Sequence, residues 1–251
     1  MIYFIGAGPG DPELITVKGA RLIAGADVII YAGSLVNPAV LDGCRPGAEI
    51  YDSSGMNLEE VLEVMGRAWR EGKKVARVHT GDPSIYGAIQ EQMDALAEKG
   101  IPFAVIPGVS SLFAAAAAVP HELTLPGVTQ TVIMTRLEGR TPVPGGERLA
   151  DLARHRCTMG IFLSVNQMDR VVSQLLEGGY DPGTKVVVVE RASWPDQRVI
   201  SGTIKNIGKL VKEAGITRQA IILVGDVFGG HYQRSRLYDG NFSHGYRRRK
   251  E

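Results

Sequence analysis

The apolar run Ile2 to Ile5 leads straight into Gly6-Ala7-Gly8-Pro9-Gly10-Asp11-Pro12, and no other stretch constrains the fold as tightly. A strand followed by a glycine-rich turn is how an open α/β sheet presents a ligand site at its strand ends. A dinucleotide fingerprint would carry Gly or Ala at the sixth position of this turn, with free helix amides facing a pyrophosphate. Here the sixth residue is Asp11, and Pro9 and Pro12 each remove an amide donor. A carboxylate beside a pyrophosphate is repulsive. The turn therefore predicts a ligand without a phosphate chain, and Asp11 is the main objection to an NAD-dependent oxidoreductase.

The alternation continues down the chain. Short β-rich runs at Ile2 to Ile5, Asp27 to Tyr31, Lys74 to His79 and Pro102 to Ile106 are separated by helical stretches, which is parallel α/β spacing. Asn57-Leu58-Glu59-Glu60 reads as a capping box opening an amphipathic helix that stops at Gly72. Leu112 to Ala118 should form a closely packed buried helix. Pro120, Pro126 and Gly127 then interrupt the pattern, and further strands are expected at Thr131 to Thr135, Met159 to Ser164, Lys185 to Glu190 and Ala220 to Val224. The expected organisation is an N-terminal α/β domain (1–118) with a mainly parallel sheet, a linker (119–130), a C-terminal α/β domain (131–230) with a mixed sheet, and a basic tail (231–251).

With 251 residues, 44% of them apolar, the chain can bury a sizeable core. Cys44 and Cys157 form neither a C-x-x-C nor a metal-ligand pattern, so no resident metal is expected. No apolar run approaches the ~20 residues of a membrane span, and the start has no basic segment before its apolar stretch; the expectation is a cytoplasmic protein without membrane contact. The net charge of +1 hides an uneven distribution, because the tail holds six Arg or Lys against Asp239 and Glu251. Such a tail either contacts RNA or a membrane or is simply solvated, and the near-neutral remainder argues against a large RNA footprint.

The densest polar cluster, Arg77-Val78-His79-Thr80-Gly81-Asp82-Pro83-Ser84-Ile85-Tyr86-Gly87, falls where a strand ends and a helix should begin. Gly81 permits close approach of a ligand, Thr80 and Ser84 offer hydroxyls, and Asp82 either caps the following turn or faces a positive ligand group. Ile106-Pro107-Gly108-Val109-Ser110-Ser111 repeats the arrangement at the next strand end. Together with the opening loop, these would line one crevice.

At these residues, and at Ala220-Ile221-Ile222-Leu223-Val224-Gly225, the chain resembles the tetrapyrrole methyltransferases of cobalamin and sirohaem synthesis, over residues 1–228. Thr129-Gln130-Thr131, the run Thr135 to Pro144 and Ala192-Ser193-Trp194-Pro195-Asp196 are similar to the branch acting at carbon 11 of precorrin-4 or cobalt-precorrin-4. Neighbouring branches methylate other corrin carbons, diphthamide precursors or ribosomal RNA ribose. The resemblance implies two α/β domains with S-adenosylmethionine in the cleft between them, S-adenosylhomocysteine as product, a small tetrapyrrole as acceptor, and a homodimer. The cofactor contacts it implies are Pro9, Thr80, Gly81, Asp82, Ser110, Ser111, Leu163, Ala192 and Ala220.

Methyl transfer from a sulfonium to a ring carbon requires alignment and exclusion of water more than a strong nucleophile. Where a base is needed, His79 is the first candidate and Asp82 the second; the alternative for His79 is a buried, hydrogen-bonded strand residue. The acceptor's acetate and propionate groups call for guanidinium forks, for which Arg77, Arg136, Arg140 and Arg191 are the candidates, each of them alternatively a surface ion pair. Trp194 either stacks on the macrocycle or packs a domain interface. A non-enzymatic sensor that binds the cofactor without consuming it would be distinguished by turnover.

Overall fold

The computed structural model describes residues 1–248 and divides into two compact units, Met1–Ala114 with Arg191–Gln197, and Ala115–Glu190 with Arg198–Glu251. Of the basic tail, Arg249, Lys250 and Glu251 lie outside the described residues. No helix among the described residues is long and apolar enough to cross a membrane.

In the first unit the order is β1 (Ile2–Gly6), α1 (Val17–Ala24), β2 (Val28–Tyr31), β3 (Glu49–Asp52), α2 (Leu58–Arg70), β4 (Val75–His79), α3 (Gln90–Glu98), β5 (Phe103–Ile106) and α4 (Ser111–Ala118). The unit boundary falls inside α4, at Ala114. The strands form one wholly parallel sheet in the order β3-β2-β4-β1-β5. Alternation of side chains gives the sheet two apolar faces. Ile2, Phe4, Val28, Ile30 and Val75 pack on one side with α2 residues Val61, Val64, Met65 and Ala68. Ile5, Ile29, Ala76, Val78 and Ile106 pack on the other with Ile23 of α1. Burial on both faces is why these strands read as nearly continuous apolar runs.

The second unit contains β6 (Val132–Arg136), α5 (Leu149–Ala153), β7 (Thr158–Phe162), α6 (Met168–Glu177), β8 (Lys185–Glu190), β9 (Arg198–Thr203), α7 (Ile207–Glu213) and β10 (Ala220–Val224). Its sheet runs β6-β7-β10-β8-β9 and is mixed: β6 and β7 are parallel, and the other pairs are antiparallel. One core holds it, from Leu149 and Met159 through Val171, Val186 and Val188 to Ile207 and Ile222.

Two strands have no counterpart in the sequence reading, and both are sheet edges. β3 and β9 are half-exposed or exposed along most of their length, so neither shows a sustained apolar pattern. Residues 191–197, which chain order assigns to the second domain, group with the first unit because Ser193 and Trp194 bond to its opening loop.

The capping box is formed as expected. Asn57 Oδ1 accepts from Glu60 N at 2.9 Å, and Glu60 Oε2 accepts from Asn57 N at 2.7 Å. Asn57→Ala should lower the unfolding free energy by about 1 kcal/mol, which chemical denaturation of wild type and variant would measure; ligand affinity should be unchanged, because α2 follows the edge strand β3, which β2 separates from β4, β1 and β5.

Candidate functional site

Because β4, β1 and β5 are adjacent and parallel, the loops that follow them emerge side by side. The chain runs from β1 to β2 and β3 on one side of β1 and closes with β5 on the other, so β1 marks the reversal outside which such sheets bind ligands. The three loops are joined directly. Gly8 and Gly81 exchange backbone hydrogen bonds, Gly81 N to Gly8 O at 2.8 Å and Gly8 N to Gly81 O at 3.3 Å. A Cβ on Gly6 would stand 2.6 Å from both Gly108 Cα and Gly81 O, and one on Gly108 would stand 2.7 Å from Gly6 Cα. Only backbone fits at this junction.

Asp82 ties the second loop to the third. Oδ2 accepts from Gly108 N at 2.9 Å, while Oδ1 accepts from Ser84 N at 2.8 Å and turns its own loop. The carboxylate is therefore both the cap and the organiser of the crevice wall. Ser110, nearly buried, accepts Leu112 N at 3.3 Å on its hydroxyl, and Ser111 opens α4. Thr80 is half-buried at the rim.

The helical turns after β1 have lost the donors that an anion would need. Asp11 accepts Glu13 N at 2.9 Å, capping the 3-10 turn Pro12–Leu14, and Thr16 accepts Gly19 N at 3.1 Å, capping α1. Pro9 O accepts from Trp194 Nε1 at 3.1 Å, Gly10 O from Asn37 Nδ2 at 2.8 Å, and Asp11 N donates to Ser193 Oγ at 3.0 Å. A self-capped loop lined by carbonyls suits an uncharged or cationic ligand.

Ala192, almost fully buried, sits between two residues with left-handed backbone, Arg191 (φ 49°) and Ser193 (φ 68°). Trp194 lies where any side chain at Gly10 would go, so its ring packs against the opening loop. The Arg191 guanidinium stands 4.1 Å over the Trp194 ring and pairs with the exposed Asp196 at 3.0 Å, a surface ion pair. Leu163 and Ala220 belong to the second unit. Leu163, the residue after β7, has φ 53° and is 62% exposed, while Ser164 behind it is buried and accepts Leu137 N at 2.8 Å. Ala220 opens β10 opposite Glu190.

Two other arginines turn out to organise the protein rather than to offer open forks. Arg77 shares a sheet face with Val75 and is nearly buried; its guanidinium donates to Ser53 Oγ at 2.9 Å, Gln92 Oε1 at 3.3 Å and Ile30 O at 3.4 Å. Burial lowers its pKa to about 10. Arg136 donates to the carbonyls of Pro142, Thr141 and Leu137 at 2.7, 3.2 and 3.4 Å, holding that loop closed. Arg140, on the same loop, is exposed. Ser53 and Gln92, the partners of Arg77, leave no mark in the sequence as functional residues, since neither belongs to a glycine motif.

His79 is the buried strand residue of the second reading, without the hydrogen bond at Nε2 that such a reading supposes. It is 4% exposed, its ring lies 6.0 Å from that of Phe4, and Nε2 has no partner among the described residues. Desolvation, and secondarily the Arg77 charge, lower its pKa to about 3. An imidazole this weakly basic is a poor general base at neutral pH, though it keeps a hydrogen-bonding nitrogen at the end of β4. The unfolded chain binds this proton near pH 6.5 and the native chain only near 3, so stability falls as pH drops through that interval. His79→Gln should flatten the dependence of unfolding free energy on pH between 6.5 and 4 by up to about 1.4 kcal/mol per pH unit, as read from denaturant titrations at each pH.

The family model described as tetrapyrrole (corrin/porphyrin) methylases matches residues 1–208. The chain is 57% identical over 248 residues to the cobalt-precorrin-4 C(11)-methyltransferase of Methanocaldococcus jannaschii, covering 98% of this chain and 96% of that protein. It is 49% identical over 247 residues to the precorrin-4 C(11)-methyltransferase of Pseudomonas aeruginosa, covering 98% of each. Among solved structures, a cobalt precorrin-4 methyltransferase of cobalamin biosynthesis superposes with a TM-score of 0.89 at 50% identity, over 90% of this chain and 95% of that one. The uroporphyrin-III C-methyltransferase of Thermus thermophilus, solved with S-adenosylhomocysteine, superposes with a TM-score of 0.76 at 29% identity, over 90% and 92%. A sheet of this order, the glycine-joined loops at its strand ends and near-full-length similarity lead to one conclusion: the chain belongs to the tetrapyrrole (corrin/porphyrin) methylase family.

Proposed function

We propose that this protein transfers the methyl group of S-adenosylmethionine to carbon 11 of precorrin-4 or cobalt-precorrin-4, a step of cobalamin biosynthesis. The observation that carries the reading is similarity at 57% identity over nearly the whole of a cobalt-precorrin-4 C(11)-methyltransferase. The first unit's crevice suits the donor, since its turns are self-capped against a phosphate and its glycines let a ligand meet backbone carbonyls.

Bound S-adenosylmethionine supplies an electrophilic methyl group. The assigned work of Pro9, Thr80, Gly81, Ser110, Ser111 and Ala192 is to hold that donor in one orientation. Asp82 acts through Gly108 and Ser84 by fixing the two loops, and is a positioning residue. Neutral His79 offers a hydrogen bond without carrying charge. Orienting donor and acceptor in a site closed to water supplies most of the acceleration such a transfer needs. Cobalt, where present, arrives within the acceptor. The same reading takes the working species as a homodimer in the cytoplasm, which sedimentation of the purified protein and fractionation of the source cells would test.

Two measurements check it. Titration calorimetry should give micromolar affinity for S-adenosylhomocysteine and none for NAD, with Asp82→Ala at least about tenfold weaker, equivalent to about 1.4 kcal/mol. Incubation with methyl-13C S-adenosylmethionine and each acceptor should place the label on carbon 11 by NMR. Label on another ring carbon would move the assignment to a neighbouring branch, and binding without label in either acceptor would make the protein a sensor.

A further inference from the structure

The reading above leaves a chemical requirement open. Its acceptor carries many carboxylates, yet three of the four arginines that the sequence offered as forks already hold partners within the chain, Arg77 with Ser53 and Gln92, Arg136 with carbonyls, and Arg191 with Asp196.

The C-terminal segment holds what is missing. Gln233 N bonds to Pro126 O at 2.9 Å, anchoring its start to the second unit. Beyond it the chain folds on itself around Arg247, whose Nη2 donates to the carbonyls of Asp239, Leu237 and Phe242 at 2.6, 2.7 and 3.4 Å. Ser235 caps the turn through Leu237 N at 3.2 Å, Asp239 accepts Asn241 N at 2.9 Å, and His244 and Arg247 pair through their backbones. A segment so organised would ordinarily turn its apolar groups inward. This one does the reverse: Tyr246 is fully exposed, Tyr238 is 89% exposed, and Tyr232 and Leu237 are about as open as each other at 61% and 60%. Interleaved with them are the exposed guanidiniums of Arg234, Arg236 and Arg248. Aromatic faces beside guanidinium forks match a flat macrocycle edged with carboxylates, because each half of that surface meets its own chemistry.

We infer that Tyr232–Arg248 is an acceptor-binding surface, in which Arg234, Arg236 and Arg248 take acetate and propionate groups while Tyr238 and Tyr246 lie against the ring. This rests on the function proposed above. Arg247 maintains the fold of the segment and is not one of the forks.

The test uses the full-length chain with Arg234→Gln, Arg236→Gln and Arg248→Gln combined, and separately Tyr238→Ser with Tyr246→Ser; both sets leave Arg247 and its carbonyl partners in place. In steady-state methylation of the acceptor, the arginine set should raise KM at least about tenfold at low ionic strength, and the gap should narrow at about 0.5 M salt, where screening is strong. Turnover number and S-adenosylhomocysteine affinity should stay within about twofold. The tyrosine set should raise KM at both salt concentrations. Quenching of uroporphyrin III fluorescence supplies a readout that needs no turnover. Tight binding by wild type and loss in both variants would support the surface even if methylation at carbon 11 failed. Unchanged KM and unchanged uroporphyrin affinity would overturn it, as would variants that alter only the sedimentation coefficient, since the segment would then be a contact between copies of the chain.

Discussion

The first unit is organised around the place where three backbones meet with no side chain between them. Gly6, Gly81 and Gly108 stand at the ends of β1, β4 and β5 so closely that a single methyl group on Gly6 or Gly108 would collide with main-chain atoms of its neighbours. Main chain cannot yield as the tip of a flexible side chain can. The parallel order of the three strands delivers the loops to one spot, the paired hydrogen bonds of Gly8 and Gly81 fasten two of them, and the Asp82 carboxylate fastens the third. A ligand entering this crevice meets a wall whose donors and acceptors are already fixed, which lowers the ordering cost of binding.

Charge is distributed around that wall in an uncommon way. Among the described residues, the buried Arg77 has neutral acceptors about it, Ser53, Gln92 and Ile30 O, rather than a carboxylate. Burial is the main reason the neighbouring imidazole of His79 stays neutral; the Arg77 charge adds to it and contributes a positive potential at the end of β4. Its hydrogen bonds also tie β4 to the end of β2 and to the start of α3, because Ser53 donates onward to Tyr31 O at 3.0 Å and Gln92 Nε2 to Ala88 O at 2.9 Å. The sequence presented Arg77 as a substrate fork because it precedes a glycine motif; its position on the strand, two residues after Val75 on the same face, turns it into the core instead.

Much of this was legible from the chain. The alternation of strands and helices, the glycine loops at three strand ends, the capping box at Asn57 and the absence of a phosphate-binding turn all follow from local chemistry that leaves a mark in sequence. Edge strands β3 and β9 did not, because a half-exposed strand of four or six residues has no sustained period to read. The packing of Trp194 on Gly10 was also hidden: it joins residues more than 180 positions apart, and a Trp-Pro-Asp turn looks the same whether it packs or binds. For His79 the motif suggested a base and the burial made it a neutral strand residue, a distinction that depends on what covers the ring. Arg191 and Arg136 illustrate the same limit, since a guanidinium's partner is set by tertiary structure.

The claim on which the rest stands is that the glycine junction of β1, β4 and β5 shapes the donor site. The most direct test is Gly108→Ala, a one-methyl change at the junction, followed by S-adenosylhomocysteine titration and amide-proton NMR on the same sample. The account predicts at least a tenfold loss of affinity, about 1.4 kcal/mol or more, with amide shifts confined to residues around Gly6, Gly81 and Gly108 and the second unit's spectrum unchanged. Wild-type affinity in a folded Gly108→Ala protein would contradict it.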